Sequence, residues 1–268
     1  MKFNKLILLT LALFNKFALA EQGANESQLI ASSDDTVVGT APDHVTVSSA
    51  GAALEQSPIS INSYGFFSQT LANGFYYEAR VYLNYNTLSQ NPNFPEVSAS
   101  NINNPLGNGV AGFIGYNFNV TDILDILPYI RVNLNHNMNL VYEDSNGNFI
   151  HSNAWATFIG SKFAFKLDKR FVPYFNYYIG YQRLYMTGED AYVTSPISTE
   201  MYQIVSNYQL GLGIKASSSI SVIPYITFST IFNNPSDVAG LPLNQGGFGV
   251  TPLTVTQQII GTKLSYTW

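Results

Sequence analysis

Residues 75–86 read Phe-Tyr-Tyr-Glu-Ala-Arg-Val-Tyr-Leu-Asn-Tyr-Asn, and their alternation decides the fold. Phe75, Tyr77, Ala79, Val81, Leu83 and Tyr85 occupy one parity; Tyr76, Glu78, Arg80, Tyr82, Asn84 and Asn86 occupy the other. Side chains in a strand point to opposite faces in turn, so this segment predicts a strand with one apolar and one polar face. The pattern recurs at Val110–Val120 and at Ile130–Leu140, where Arg131, Asn133, Asn135, Asn137 and Asn139 form an unbroken polar row. After a tight Asn146-Gly147 turn, Trp155, Thr157, Ile159, Phe163, Phe165 and Leu167 mark a fourth strand. Four more are expected at about 171–186, 201–216, 220–232 and 254–268. Connections near 123, 169 and 218 are short. Those near 98, 193 and 243 are longer and rich in Pro, Gly, Asn and Ser.

Composition narrows the setting. Asp, Glu, Lys and Arg make up only 11% of the 268 residues, against about 25% in an ordinary soluble domain. Aromatics reach 14%, while the mean hydropathy is +0.05. Such a chain lacks the charges to coat a soluble surface, and it lacks the long apolar runs of a helical membrane protein. With no cysteine, disulfides, thiolate metal sites and cysteine nucleophiles are excluded. Alternating strands joined by short turns at one end and longer loops at the other predict an all-β, closed, antiparallel, eight-stranded transmembrane barrel over residues 75–268. Closure is required because an open edge in lipid leaves backbone groups unpaired.

Residues 1–20 have the form of a cleavable secretory signal. Lys2 and Lys5 precede a short apolar run, and Ala18-Leu19-Ala20 places cleavage after Ala20. Removal of Lys2, Lys5 and Lys16 leaves nine basic against seventeen acidic residues, a formal charge of −8, which gives no reason to expect nucleic acid as a partner. Residues 21–74 carry six acids and no base. Rich in Ser, Ala, Gly and Thr, this segment is expected to be a mostly disordered periplasmic arm or partial plug, with a short strand or plug element around Ile59–Phe67.

The last strand ends on Ile260, Thr262, Leu264, Tyr266 and Trp268, an apolar residue at most second positions and an aromatic at the terminus. Ile260, Leu264, Tyr266 and Trp268 resemble the C-terminal signal by which Gram-negative outer-membrane proteins are recognised by the barrel assembly machinery. The pattern of residues 75–268 is similar to the small eight-stranded outer-membrane barrels of the OmpA, OmpX and OmpW kind. The resemblance implies an outer-membrane location, contact with lipid and lipopolysaccharide, a monomer, and no cofactor. Because the chain ends on its last strand, no peptidoglycan-binding domain is expected after the barrel, a departure from OmpA. Outward aromatics fall into two girdles: Phe75, Tyr77, Phe118, Phe163, Phe175, Tyr266 and Trp268 toward the periplasm, and Tyr85, Tyr142, Trp155, Tyr181 and Tyr202 toward the outside.

Parity also sorts the lumen. Arg80, Arg131, Lys162, Lys166, Lys215 and Lys263 fall inward near the periplasmic end, with Glu78 as the one inward acid. Pairing of the first and last strands would set Glu78 across from about residue 265, between Arg80 and Lys263. Asn84, Asn133, Asn135, Asn137, Asn176, Gln182, Gln203, Asn207 and Gln257 line the upper half. Three readings follow: a hydrogen-bonded polar core in a structural or surface protein, a narrow porin-like passage favouring small anions, or a basic mouth closed by the acidic arm.

A lipid-modifying hydrolase is the competing class. His151-Ser152-Asn153-Ala154 is similar to the His-x-Ser-Asn-Ala stretch of the lipid A deacylase family, but the spacer is missing. Adjacent strand residues face opposite sides, and no Glu follows within thirty residues to orient the histidine. No catalytic residue is therefore assigned and the chain is expected not to be an enzyme. His44, His136 and His151 are too scattered to make a metal site. His136 is expected, oddly, on the lipid face. Glu143, Asp144, Glu189, Asp190 and Asp237 make the outer rim acidic, open to lipopolysaccharide-bridging cations, and the loops 89–107, 187–200 and 233–253 are open to adhesion or surface-antigen roles.

Overall fold

The computed structural model describes residues 46–57, 60–86, 106–136, 142–143, 149–168, 170–189, 197–234 and 254–268. The signal segment, the arm up to residue 45, the Asn146-Gly147 turn, Asn137 and the outer acids Asp144, Asp190 and Asp237 lie outside them. The strands, in chain order, are β1 (Val47–Gln56), β2 (Ser60–Thr70), β3 (Phe75–Asn86), β4 (Leu106–Tyr116), β5 (Phe118–Thr121), β6 (Leu124–His136), β7 (Tyr142–Glu143), β8 (Phe149–Phe165), β9 (Phe171–Glu189), β10 (Ile197–Lys215), β11 (Ile220–Asn233) and β12 (Thr254–Thr267). All pairings are antiparallel. The order β6-β4-β3-β2-β1-β12-β11-β10-β9-β8 returns to β6 through the β6–β8 ladder and closes a barrel. β5 continues β4 in the same register against β6 as far as Asn119 and shifts before Thr121, and β7 pairs with the outer end of β8.

The barrel has ten strands, not the expected eight. The two additional strands come from residues 47–70, which the sequence reading placed in the arm. β1 pairs with β12 and β2 with β3, so the first hairpin stands between the two strands expected to meet. The physical reason for the misreading is in the side chains. Alternate inward positions of β1 are Ser49, Gly51 and Ala53, small residues that leave room for the inward Tyr64, Phe66 and Lys263. β2 points Tyr64 and Phe66 inward and sets Ser63, Gly65 and Gln69 beside Phe67 on the outer face, which blurs the apolar-out alternation. At Gly51 a Cβ would lie 2.0 Å from the Leu264 carbonyl oxygen and 2.6 Å from the Phe66 ring, so the seam closes only over a glycine.

Both chain ends of the barrel lie at one rim, with short turns. At 71–74 the Gly74 N–H donates to the Leu71 carbonyl at 2.8 Å, with φ of 89° at Gly74, a backbone region that L side chains rarely adopt. The Gly74 carbonyl accepts from Asn117 N–H at 2.7 Å, which draws Asn117 out of the ladder and separates β4 from β5. The seam is finished by reciprocal bonds between Ser48 and Trp268, 3.1 and 3.0 Å.

Outward positions are apolar around the wall, including Val81, Ile114, Ile130, Ile159, Ile204 and Ile260, 46–63% exposed. Among described outward side chains of the strands, the charged ones are Arg183 and Glu200, paired with each other at 2.5 Å. A surface this apolar is unstable in water and natural in lipid. Phe67 joins Tyr77 and Trp268 at ring distances of 6.4 and 6.3 Å near the chain-end rim, and Tyr181 joins Trp155 and Tyr202 at 6.0 and 5.8 Å near the other. These are the two girdles. Of the aromatics assigned to them, Tyr142 lies in β7 and its side chain is outside the described residues.

Candidate functional site: the barrel lumen

Glu78, on β3, is 2% exposed and forms the centre of the lower lumen. It pairs with Arg80 Nε, accepts from the Tyr76 hydroxyl at 2.5 Å, and has Lys263 Nζ at 3.9 Å from Oε2. The expected neighbours are therefore present, for a different reason. β3 and β12 do not pair; Lys263 reaches across the first hairpin, past the Phe66 ring at 3.7 Å from its centroid, over the small inward side of β1. Arg80 lies over the Phe113 ring at 4.3 Å and the Tyr64 ring at 4.9 Å. Guanidinium and ammonium groups against aromatic faces gain electrostatically where water is scarce.

Lys166 is not part of this cluster. It pairs with Asp125 at 2.9 Å, an inward acid on β6 that the sequence reading passed over because it assigned the segment to the short connection near residue 123, a turn taken as Thr121–Ile126. The inward parity of Arg131 and Asn133, continued downward through Tyr129 and Leu127, arrives at Asp125. Glu55 is the second missed acid: it sits on β1 and accepts from the Tyr225 hydroxyl at 2.7 Å. Lys162 is buried with Nζ 3.7 Å over the Tyr174 ring. Lys215 is half-buried at the lower end of β10, apart from Glu78. The lumen thus holds six bases against three described acids, rather than one.

Below the Glu78 layer most of the inward residues are buried. Ser265 is 1% exposed, and Ser49 and Thr267 share a 2.9 Å hydrogen bond at the rim. Val172, Tyr174, Ile223 and Tyr225 fill the opposite wall as a buried cluster. Above, a cavity of about 210 Å³ opens, lined by Arg80, Arg131, Lys162, Glu55 and the amides of Asn133, Asn135, Asn176, Gln182, Asn207 and Gln257, among others. The amides form runs: Gln182 donates to Gln203 at 3.1 Å, Gln203 to Asn233 at 2.7 Å, and Tyr129 and Asn176 link on to Gln209 at 3.0 and 3.3 Å. Asn84 donates to Asn62.

The backbone is unbroken through His151 and Ser152, which pair with Thr187 and Met186 in one register. Ser152 faces inward and is 1% exposed; the His151 side chain lies outside the described residues. His136 does face outward, but at the outer end of β6 rather than in the mid-strand place expected for it, and its Nδ1 shares a 2.7 Å hydrogen bond with Asn153 Oδ1.

Strand closure, an apolar outer wall between aromatic girdles and a polar lumen define a transmembrane β-barrel of the outer-membrane kind. No protein-family model matches the chain, and no curated protein matches it either. Solved structures do. The translocator domain of autotransporter NalP from Neisseria meningitidis is similar at a TM-score of 0.51 and 9% identity, over 83% of this chain and 88% of that one. The outer-membrane protease OmpT from Escherichia coli is similar at 0.42 and 9%, over 88% of this chain and all of that one. Ail, the attachment invasion locus protein of Yersinia pestis, gives 0.36 and 8%, over 83% and 97%. At these identities the likeness is one of fold alone.

Proposed function

We propose that this chain is a non-enzymatic outer-membrane barrel with a structural and surface role, closed at its periplasmic floor rather than an open channel. The observation that carries this is the burial of the lower lumen, where Glu78, Lys263 and Ser265 are each 2% exposed or less. Ions crossing the barrel would have to break a packed, charge-paired layer. The narrow anion passage considered from the sequence would need that layer to move. The long β9 and β10 support the surface role. β9 runs eight residues past the Tyr181 girdle to Glu189, roughly 26 Å along the strand at about 3.3 Å per residue, so this hairpin stands well above the membrane. In this reading the partners are lipid, lipopolysaccharide and the assembly machinery that recognises Ile260, Leu264, Tyr266 and Trp268, and the barrel is a monomer.

Single-channel recording of the refolded mature protein in a planar bilayer tests the closed floor. The expected trace is silent at moderate voltage. Stable, anion-selective steps would overturn the proposal and establish a pore.

A further inference from the structure

The cavity above the floor has a chemistry that the closed barrel does not need, and we propose that it is a binding site for a small hydroxylated carboxylate held by Arg131. Arg131 points inward from β6. Its Nε donates to Asn133 Oδ1 at 2.7 Å and its Nη2 to the Tyr82 hydroxyl at 3.1 Å. A guanidinium has five N–H donors in a fixed fork, so most of the fork is still available toward the cavity that Arg131 lines. Among the described residues no carboxylate pairs with it. Glu78 serves Arg80 and Lys263, Asp125 serves Lys166, and Glu55 accepts from Tyr225.

The group is also held in place. Its Cζ lies 5.0 Å from the Phe113 ring centroid and 5.5 Å from those of Phe158 and Tyr178. Rings on several sides limit the guanidinium to a small range of orientations, which lowers the entropic cost of binding. Among the described residues Arg80, Arg131 and Lys162 face this cavity with Glu55 as the one acid, so the described wall is net positive even with Glu78 neutralising Arg80. A desolvated cation is stabilised by a paired anion, and a carboxylate meets a guanidinium fork through two parallel hydrogen bonds.

The remainder of the wall sets the rest of the ligand. Asn135, Asn207 and Gln257 supply both donors and acceptors, which suits hydroxyl groups. About 210 Å³, at about 30 Å³ for each water-sized group, holds on the order of seven of them. That is enough for the carboxylate and the adjoining hydroxylated carbons of a sugar acid, whose far end would extend into the open mouth of the cavity. This inference goes beyond the closed-barrel reading and does not depend on it, since a pore with the same cavity would also bind.

Isothermal titration of the mature protein, refolded in detergent in a buffer of low chloride, separates the possibilities. Gluconate is expected to give saturable heat. Sorbitol, which keeps the hydroxyls and lacks the charge, is expected to give none. Arg131→Gln is expected to weaken gluconate at least tenfold, and Arg131→Lys, which keeps the charge but not the fork, to weaken it to a similar degree. Should Arg131→Gln not refold, the wild-type comparison and Arg131→Lys decide. No gluconate heat, equal heat from sorbitol, equal heat from sodium chloride at the same concentration, or unchanged affinity in Arg131→Lys would each overturn the proposal. Bilayer recording reads the floor separately, so the two readings fail by different observations.

Discussion

Replacing Glu78 by Gln removes one negative charge and little volume from the centre of the lower lumen. Three groups depend on that carboxylate: Arg80, Lys263 at 3.9 Å and the Tyr76 hydroxyl at 2.5 Å. Two unit charges about 4 Å apart interact by about 4 kcal/mol at an effective dielectric of about 20. Lys263 is 1% exposed and Arg80 is 8% exposed, so neither can recover its lost partner by turning to water. Breaking a buried pair in this way costs about 3–5 kcal/mol. The aromatic faces of Phe66, Phe113 and Tyr64 remain, which places the expectation at the lower end, near 3 kcal/mol. The assay is reversible urea unfolding of the refolded barrel in lipid vesicles, followed by tryptophan fluorescence and by the gel mobility of the folded form. A second substitution, Lys263→Met, made in the Glu78→Gln background, is expected to recover part of the loss, because it removes a buried charge while keeping the apolar stem. The reasoning is refuted if Glu78→Gln unfolds within about 0.5 kcal/mol of the parent, or if Lys263→Met deepens the loss.

Three further outcomes are expected. Gly51→Ala forces a Cβ into the Leu264 carbonyl and the Phe66 ring and should lower stability by at least the ~1–3 kcal/mol of an overpacked site, measured in the same unfolding assay; an unchanged midpoint would contradict the closed seam. Trp268→Ala removes ring contacts to Phe67 and Tyr266 while its backbone bonds to Ser48 persist, so refolding in detergent should survive and the yield in outer-membrane fractions of cells should fall several-fold. An epitope inserted between residues 192 and 193, at the head of the β9–β10 hairpin, should be reached by antibody on intact cells without loss of heat-modifiable folding; access only after lysis would reverse the assignment of the two rims.

Much of the wall was legible because lipid imposes a simple rule on it. In β3, β6 and the lower half of β12 the outward residues are mostly apolar and the inward ones mostly polar, so parity alone located Glu78, Arg131 and Lys263 inside the lumen. β1 and β2 broke the rule. Ser49, Gly51 and Ala53 carry no hydropathic alternation, and Tyr64 and Phe66 put their rings on the inside. Their strand character is written in their neighbours: β1 bonds to β12 through the Ser48–Trp268 pair and β2 pairs along β3. Individual charges were readable but their pairing was not, because pairing depends on barrel diameter. With two more strands, Lys263 meets Glu78 through the lumen rather than along an adjacent ladder. Asp125 was hidden by a turn drawn too long, and Glu55 by its place in an apparently structureless segment.

The central claim is the ten-stranded closure through the first hairpin, and a chain without cysteine allows a direct test by engineered thiols. Ser49 and Thr267 face each other across β1 and β12. They flank the reciprocally bonded Ser48–Trp268 pair, so they occupy the close, non-hydrogen-bonded position of the ladder, about 4.5 Å between Cα atoms, within disulfide range. The variant with both Ser49→Cys and Thr267→Cys should form an intramolecular disulfide nearly to completion in outer-membrane vesicles. The variant with Tyr77→Cys and Tyr266→Cys, which an eight-stranded barrel would place side by side, should stay reduced, because β1 and β2 stand between those positions. Cross-linking of the second pair and not the first would contradict the ten-stranded barrel and return residues 47–70 to an arm outside the wall.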